Sequence, residues 1–207
     1  MKSIKIAAVA LSLGLAASAL AGPVTVVNGS FESPLVSANF HTYFAVDTTS
    51  LTGWTVSKGS IDHIGDYWVG SDLRQSVDMS GNEAGQIYQN LTIPSAGTVV
   101  VKFDMAGNPD QQGLKFLDVD LVGAGGTQTF QFDSTTHTRS SMGWITETAT
   151  FNAPAAGSYQ LLFTSQNQSA YGAALDNVRV QVPDAGGSWV LFGLGVGALG
   201  LLRRKVV

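Results

Sequence analysis

The chain has 207 residues, enough for one ordinary domain, with 13% charged residues, 24 glycines and no cysteine. That charged fraction is about half the ~25% of a typical soluble domain, and without cysteine no disulfide framework can support the fold. The formal net charge is −4, too acidic to favour nucleic acid or an anionic lipid surface as a partner.

Residues 1–21 open with Lys2 and Lys5, continue as an apolar run from Ile6 to Leu20 and close on Ala19-Leu20-Ala21. A basic start, a short apolar stretch and an Ala-x-Ala site read as a secretory signal peptide, cut by signal peptidase after Ala21. The run is shorter than the roughly 20 residues that span a bilayer, and Gly22-Pro23 follow at once.

Between residues 22 and 182, Gly, Asn, Ser and Thr recur at intervals of roughly 8–12 residues, with period-two segments between them. Ile87–Ile93 sets Ile87, Leu91 and Ile93 on one face, and Val99–Met105 sets Val99, Val101, Phe103 and Met105 together. Phe116–Val122 divides Leu117, Val119 and Leu121 from Asp118 and Asp120. Gln128–Asp133, Tyr159–Ser165 and Leu175–Val182 alternate in the same way. Turn chemistry is strong at Asn28-Gly29, Ser80-Gly81-Asn82, Gly107-Asn108-Pro109 and Gly123-Ala124-Gly125-Gly126. The pattern predicts an all-β domain, a single antiparallel β-sandwich.

The tail, residues 183–207, holds an uncharged run from Trp189 to Leu202, followed by Arg203, Arg204 and Lys205. Counted from Ala185 the run is 18 residues, the lower edge of a spanning helix, with its basic cluster where cytoplasmic charge belongs. An exported chain would insert there transiently, tail in the inner membrane and body outside. Gly193, Gly195, Gly197 and Gly200 make it a marginal, removable anchor. With both ends set aside, the body carries 14 acids against six bases.

Candidate chemistry in the body is sparse. Asp176 shares strand parity with Val178, Val180 and Val182, so its carboxylate is expected to point inward and to need a hydrogen-bonding, ionic or metal partner. Asp118 and Asp120 lie on one strand face, ~7 Å apart, more in keeping with a solvated face than with catalysis. His41, His63 and His137 are scattered with no HExxH spacing, and GxSxG is absent; no catalytic residue is assigned. Trp54 is expected in the core. Tyr67, Trp68 and Tyr171 sit in Gly/Ser/Asp-rich loops, where aromatic rings either pack locally or stack on sugars beside polar groups.

Six stretches in order carry a resemblance: Val27-Asn28-Gly29-Ser30-Phe31-Glu32, Gly53-Trp54-Thr55-Val56-Ser57, Gly59-Ser60-Ile61-Asp62-His63-Ile64-Gly65, Ser76-Val77-Asp78-Met79-Ser80-Gly81, Phe103 to Pro109 and Ala174-Leu175-Asp176-Asn177-Val178. Together they resemble the choice-of-anchor C domain of exported bacterial proteins, which implies a galactose-binding-like jelly-roll sandwich associated with extracellular polysaccharide. Sandwiches of that kind hold a structural Ca²⁺ between an early Glu and a late Asp, which the resemblance carries over to Glu32 and Asp176. The tail, with Val182, Pro183 and Asp184 ahead of the apolar run and Arg203, Arg204 and Lys205, resembles a PEP-CTERM sorting signal in its Val-Pro-Asp variant. That implies processing by an exosortase-type enzyme. The whole reads as a non-enzymatic surface or matrix protein, with a lectin-like module or an unrecognised glycan hydrolase as alternatives.

Overall fold

The structure, a computed structural model, describes residues 24–183. Among them every regular element is a strand: β1 (Phe40–Phe44), β2 (Thr55–Lys58), β3 (Ser60–Ile64), β4 (Ser76–Asp78), β5 (Gln86–Ile93), β6 (Gly97–Gly107), β7 (Leu114–Leu121), β8 (Gln128–Asp133), β9 (Ile145–Ala153), β10 (Gly157–Ser165) and β11 (Ala173–Gln181). No helix among the described residues is long and apolar enough to cross a membrane. The tail read as membrane-inserting lies outside them, apart from Pro183.

The strands form two antiparallel sheets, ordered β1-β3-β4-β11-β6-β9 and β2-β5-β10-β7-β8. Each buries one face against the other, as the sequence predicts. Val99, Val101, Phe103 and Met105 of β6 are fully buried, and so are Leu117, Val119 and Leu121 of β7 and Leu161 and Phe163 of β10. Phe103 meets Phe163 edge to face, with ring centroids 5.4 Å apart, and Trp54 is in the core as expected. The Asn28-Gly29 turn works as its composition suggests. Asn28 takes a left-handed φ of 53°, and the Gly29 carbonyl accepts from Val178 N at 2.8 Å. A Cβ on Gly29 would lie 2.2 Å from the Val178 oxygen, so only glycine allows that approach.

Strand pairing assigns every residue to a face, since residues directly opposite share a side. On the six-stranded sheet Asp62 lies opposite Asp78, Asp78 opposite Ala174, Ala174 opposite Ala106 and Asp176 opposite Asp104. These residues alternate with the core-facing Ile61, Val77, Leu175 and Met105, so they occupy the outer face. The inward orientation expected for Asp176 is therefore corrected. The register shifts between Asp176 and Arg179, and Asn177 adopts a φ of 51°. This bulge inserts a residue and inverts the parity of everything before it. Val178 and Val180 face the core, whereas Asp176 faces away from it.

Asp176 is buried nonetheless. The connection between β3 and β4, residues 65–75, crosses the outer face of the six-stranded sheet and covers it. Trp68 donates its indole N–H to Ser76 Oγ at 2.8 Å, Ser71 Oγ donates to Asp104 at 2.6 Å, and Trp144 Nε1 donates to the Val69 carbonyl at 2.9 Å.

Candidate functional site

Two carboxylates hold that loop by its backbone. Asp176 Oδ2 accepts from Ser71 N at 2.8 Å and Asp72 N at 2.9 Å, and its Oδ1 accepts from Asn177 N at 2.7 Å. Glu32 Oε1 accepts from Arg74 N at 2.9 Å and Gln75 N at 2.6 Å. Backbone N–H groups thus stand where the resemblance would put a calcium ion. These bonds engage Glu32 Oε1 and both Asp176 oxygens, whereas Ca²⁺ wants six to eight oxygens. Among the described residues no group of three or more His, Cys, Asp or Glu side chains converges on one point. The donor set around Glu32 and Asp176 does not fit a cation between them in this arrangement; it fits a loop clamp. Burial pushes the Asp176 carboxyl up to about 7 against the pull of its three backbone donors.

Beside the clamped loop is a cavity of about 240 Å³. Its floor is Asp62, Ile64 and Asp78 from β3 and β4; its walls are Phe40, Tyr67 and Trp68; its rim is Asn82, Asn108, Asp110 and Tyr171. All three aromatic residues singled out from the sequence therefore reach one cavity, although Tyr171 is more than 100 residues from the other two. Their roles differ. Tyr171 is 38% exposed. Tyr67 is half-buried, meeting Phe40 edge to face with centroids 5.4 Å apart. Trp68, at 4% exposure, packs locally as one of the two expected arrangements and forms wall rather than platform. Tyr67 and Trp68 also line a more open groove of about 460 Å³ with Arg74 and Arg139.

The polar groups around the cavity are tightly partnered. Asp78 accepts from Asn108 Nδ2 at 2.7 Å, Ser80 N at 3.0 Å and Gly172 N at 3.1 Å. Burial, the dominant influence, still pushes its carboxyl up to about 7, with the nearby Asp62 charge adding to the rise. A Cβ on Gly172 would lie 2.8 Å from Asp78 Oδ1, so glycine is required for that backbone donor to approach. Asp62 is also raised, chiefly by burial, against a 2.6 Å hydrogen bond from Thr42 Oγ1 to its Oδ1. Asp110 takes two bonds from Arg139, 2.8 and 2.7 Å, and one from the Tyr67 hydroxyl at 2.5 Å. These donors, Arg139 first, hold its carboxyl below the usual range. The Arg139 guanidinium carbon sits 3.9 Å from the Tyr67 ring centroid, a cation–π contact that fixes the ring.

Lys115 supports the rim from behind. Its ammonium, 2% exposed, donates to the Gln111 carbonyl at 2.6 Å and the Tyr171 carbonyl at 3.0 Å, anchoring the loop that carries Tyr171. Burial lowers its pKa. Sequence reasoning missed Lys115, Asp110, Arg139, Asp62 and Asp78 as site residues. For Lys115 a signal existed: it shares parity with core-facing Leu117 and Val119. His63 is fully buried, its Nε2 2.6 Å from the Phe31 carbonyl, and no histidine lines the cavity. Val182 is buried and Pro183 exposed just after β11. Ala19, Ala21, Asp184, Arg203, Arg204 and Lys205 lie outside the described residues.

A family model described as "Protein of unknown function (DUF642)" matches residues 24–181. The chain belongs to the DUF642 family. The family model that matches is this one, not the choice-of-anchor C domain that the motifs resemble. A second model, the VPDSG-CTERM motif, matches residues 181–206. The chain thus carries a C-terminal sorting motif beginning where the DUF642 domain ends, with Ala185 at the place of the serine in the motif's name. Over 165 residues it is 34% identical to Halomucin of Haloquadratum walsbyi, a match that covers 76% of this chain and 2% of that protein's length. Among solved structures it is similar to TmCBM61 in complex with β-1,4-galactotriose, at 16% identity, 74% of this chain, 94% of that one and a TM-score of 0.45. It is also similar to CBM35 from Paenibacillus barcinonensis, at 21% identity, 69% of this chain, 99% of that one and the same TM-score of 0.45.

Proposed function

We propose that this DUF642 chain is an exported cell-surface protein whose sandwich binds extracellular polysaccharide without acting on it. The observation that carries this reading is the convergence of Tyr67, Trp68 and Tyr171 on one cavity with carboxylates and amides at its floor and rim. An apolar ring face beside a few fixed acceptors is what a sugar needs: its C–H face stacks and its hydroxyls donate. The C-terminal motif and the signal-peptide pattern of residues 1–21 support export and surface sorting, with an exosortase-type enzyme removing the tail after transient insertion in the inner membrane.

The convergence favours a defined glycan site, the lectin-like form of this reading, over diffuse association with a matrix. It favours hydrolysis less. Asp78 is 1% exposed and accepts three hydrogen bonds, and Asp110 is held in a two-bond pair with Arg139, so neither is free to move a proton to a glycosidic oxygen. Binding of the exported protein to a glycan array tests the site: retention of at least one glycan, lost in Tyr171→Ala, supports it, and no retention on any glycan refutes it. The intact mass of protein recovered from the cell surface tests the sorting route. Loss of residues 1–21 and of the apolar tail is expected, and a full-length C-terminus would refute the processing.

A further inference from the structure

Resting on the glycan-site reading above, we infer that the cavity beside the 65–75 loop admits neutral sugar rings and excludes those bearing a carboxylate or sulfate. The inference stands on the cavity's charge inventory. Asp62 and Asp78 are directly opposite each other on adjacent strands, which places two carboxylates at the floor, while the charge of Asp110 at the rim is balanced by Arg139. Thr42 occupies one Asp62 oxygen, leaving the other to accept from a ligand hydroxyl.

No cation is available to an acidic ligand in exchange. Arg139, bonded to the rim residue Asp110 at 2.7 Å, lies over the Tyr67 ring. Lys115 is sealed behind the rim on two backbone carbonyls. One N–H of the Asn108 amide goes to Asp78. What the cavity offers is therefore acceptors, ring faces and the neutral donors of the Asn82 amide and the Tyr171 hydroxyl, with no free cation among its lining residues. A neutral ring brings hydroxyl donors to match, whereas a uronate or sulfated ring brings a like charge into a partly desolvated carboxylate cluster, which costs binding heavily.

Paired polysaccharides separate this from the parent reading. Polygalacturonate and alginate are each compared with their carboxyl-reduced forms, which keep linkage and ring, against the exported protein at pH 7.5. The expected result is that a reduced polymer is bound at least about tenfold more tightly than its acidic parent. Asp62→Asn should narrow that ratio. Asp120→Asn, the same change of charge on the other sheet, should leave it as it is, so that the net charge of the body is separated from the local effect. Equal or tighter binding of the acidic parents overturns the inference while leaving a glycan site in place. A ratio unchanged by Asp62→Asn also overturns it, because the discrimination then resides elsewhere. If no polymer of either kind is bound, this inference falls, whereas the glycan reading itself falls only if the array also retains nothing.

Discussion

On β7, Asp118 and Asp120 alternate with core-facing Leu117, Val119 and Leu121, just as Asp62 and Asp78 alternate with Ile61 and Val77 on β3 and β4. The same period-two pattern leads to different environments. On the five-stranded sheet Asp118 stays half-buried, bonded to its cross-strand neighbour Thr129 at 2.6 Å. On the six-stranded sheet an eleven-residue connection covers the outer face. Asp78 and Asp176 are buried there, and the margin of the cover becomes a cavity. Alternation decides which face a residue takes, but a loop from elsewhere in the chain decides whether that face is solvent or site.

Removing the clamp tests this contrast most severely. Asp176→Ala leaves the Ser71 and Asp72 N–H groups without their acceptor, and an expected loss of about 3 kcal/mol follows from unpaired buried donors. Asp118→Ala on the open sheet should cost no more than about 0.5 kcal/mol. Urea unfolding of both variants checks the pair; equal losses would mean that the loop cover carries no special weight.

The buried acids also make stability fall with rising pH. Asp78 and Asp176 go from an ordinary 3.8 to about 7 on folding, so between those values the native state holds more protons than the unfolded chain. Stability therefore declines as pH rises through that window and is regained on acidification. Asp104 and Asp110 are shifted the other way, and their contribution is lost as pH falls below about 4. A melting temperature roughly 5 °C higher at pH 5 than at pH 8 is expected, with the difference reduced in Asp78→Asn. A flat profile would place both acids in a wetter setting than the structure gives them.

Arg139→Ala should have a smaller effect on stability, about 1 kcal/mol, because the pair with Asp110 is partly exposed and screened, yet it frees the Tyr67 ring and should weaken glycan retention. The smallest expected effect is that of chelation. With backbone donors on Glu32 Oε1 and on both Asp176 oxygens, EDTA should leave the melting temperature within about 1 °C; a clear fall would restore a calcium ion to that site.

Much of the sandwich was legible in the sequence because β5, β6, β7, β8, β10 and β11 alternate with large apolar residues on one side. β9 was not, because Phe151 is the lone large apolar residue on its inner face, and Ala149 and Ala153 beside it give little contrast with the threonines outside. β1 to β4 are three to five residues long, too short for a periodicity to register. The aromatic residues of the site could be named from their loops. Their acidic partners could not, since Asp62 and Asp78 meet only through strand register. Asp176 was found but aimed wrongly, because a single bulge at Asn177 reverses the parity on which its orientation was reasoned.

The contrast between the two outer faces is tested most directly by mapping a bound glycan onto the exported protein. In a titration with a retained neutral oligosaccharide followed by amide chemical shifts, the account predicts changes confined to Phe40, Asp62, Tyr67, Asn82 and Tyr171. Changes centred instead on Tyr88, Asp118, Asp120 and Leu162 would contradict it, placing the binding surface on the open sheet.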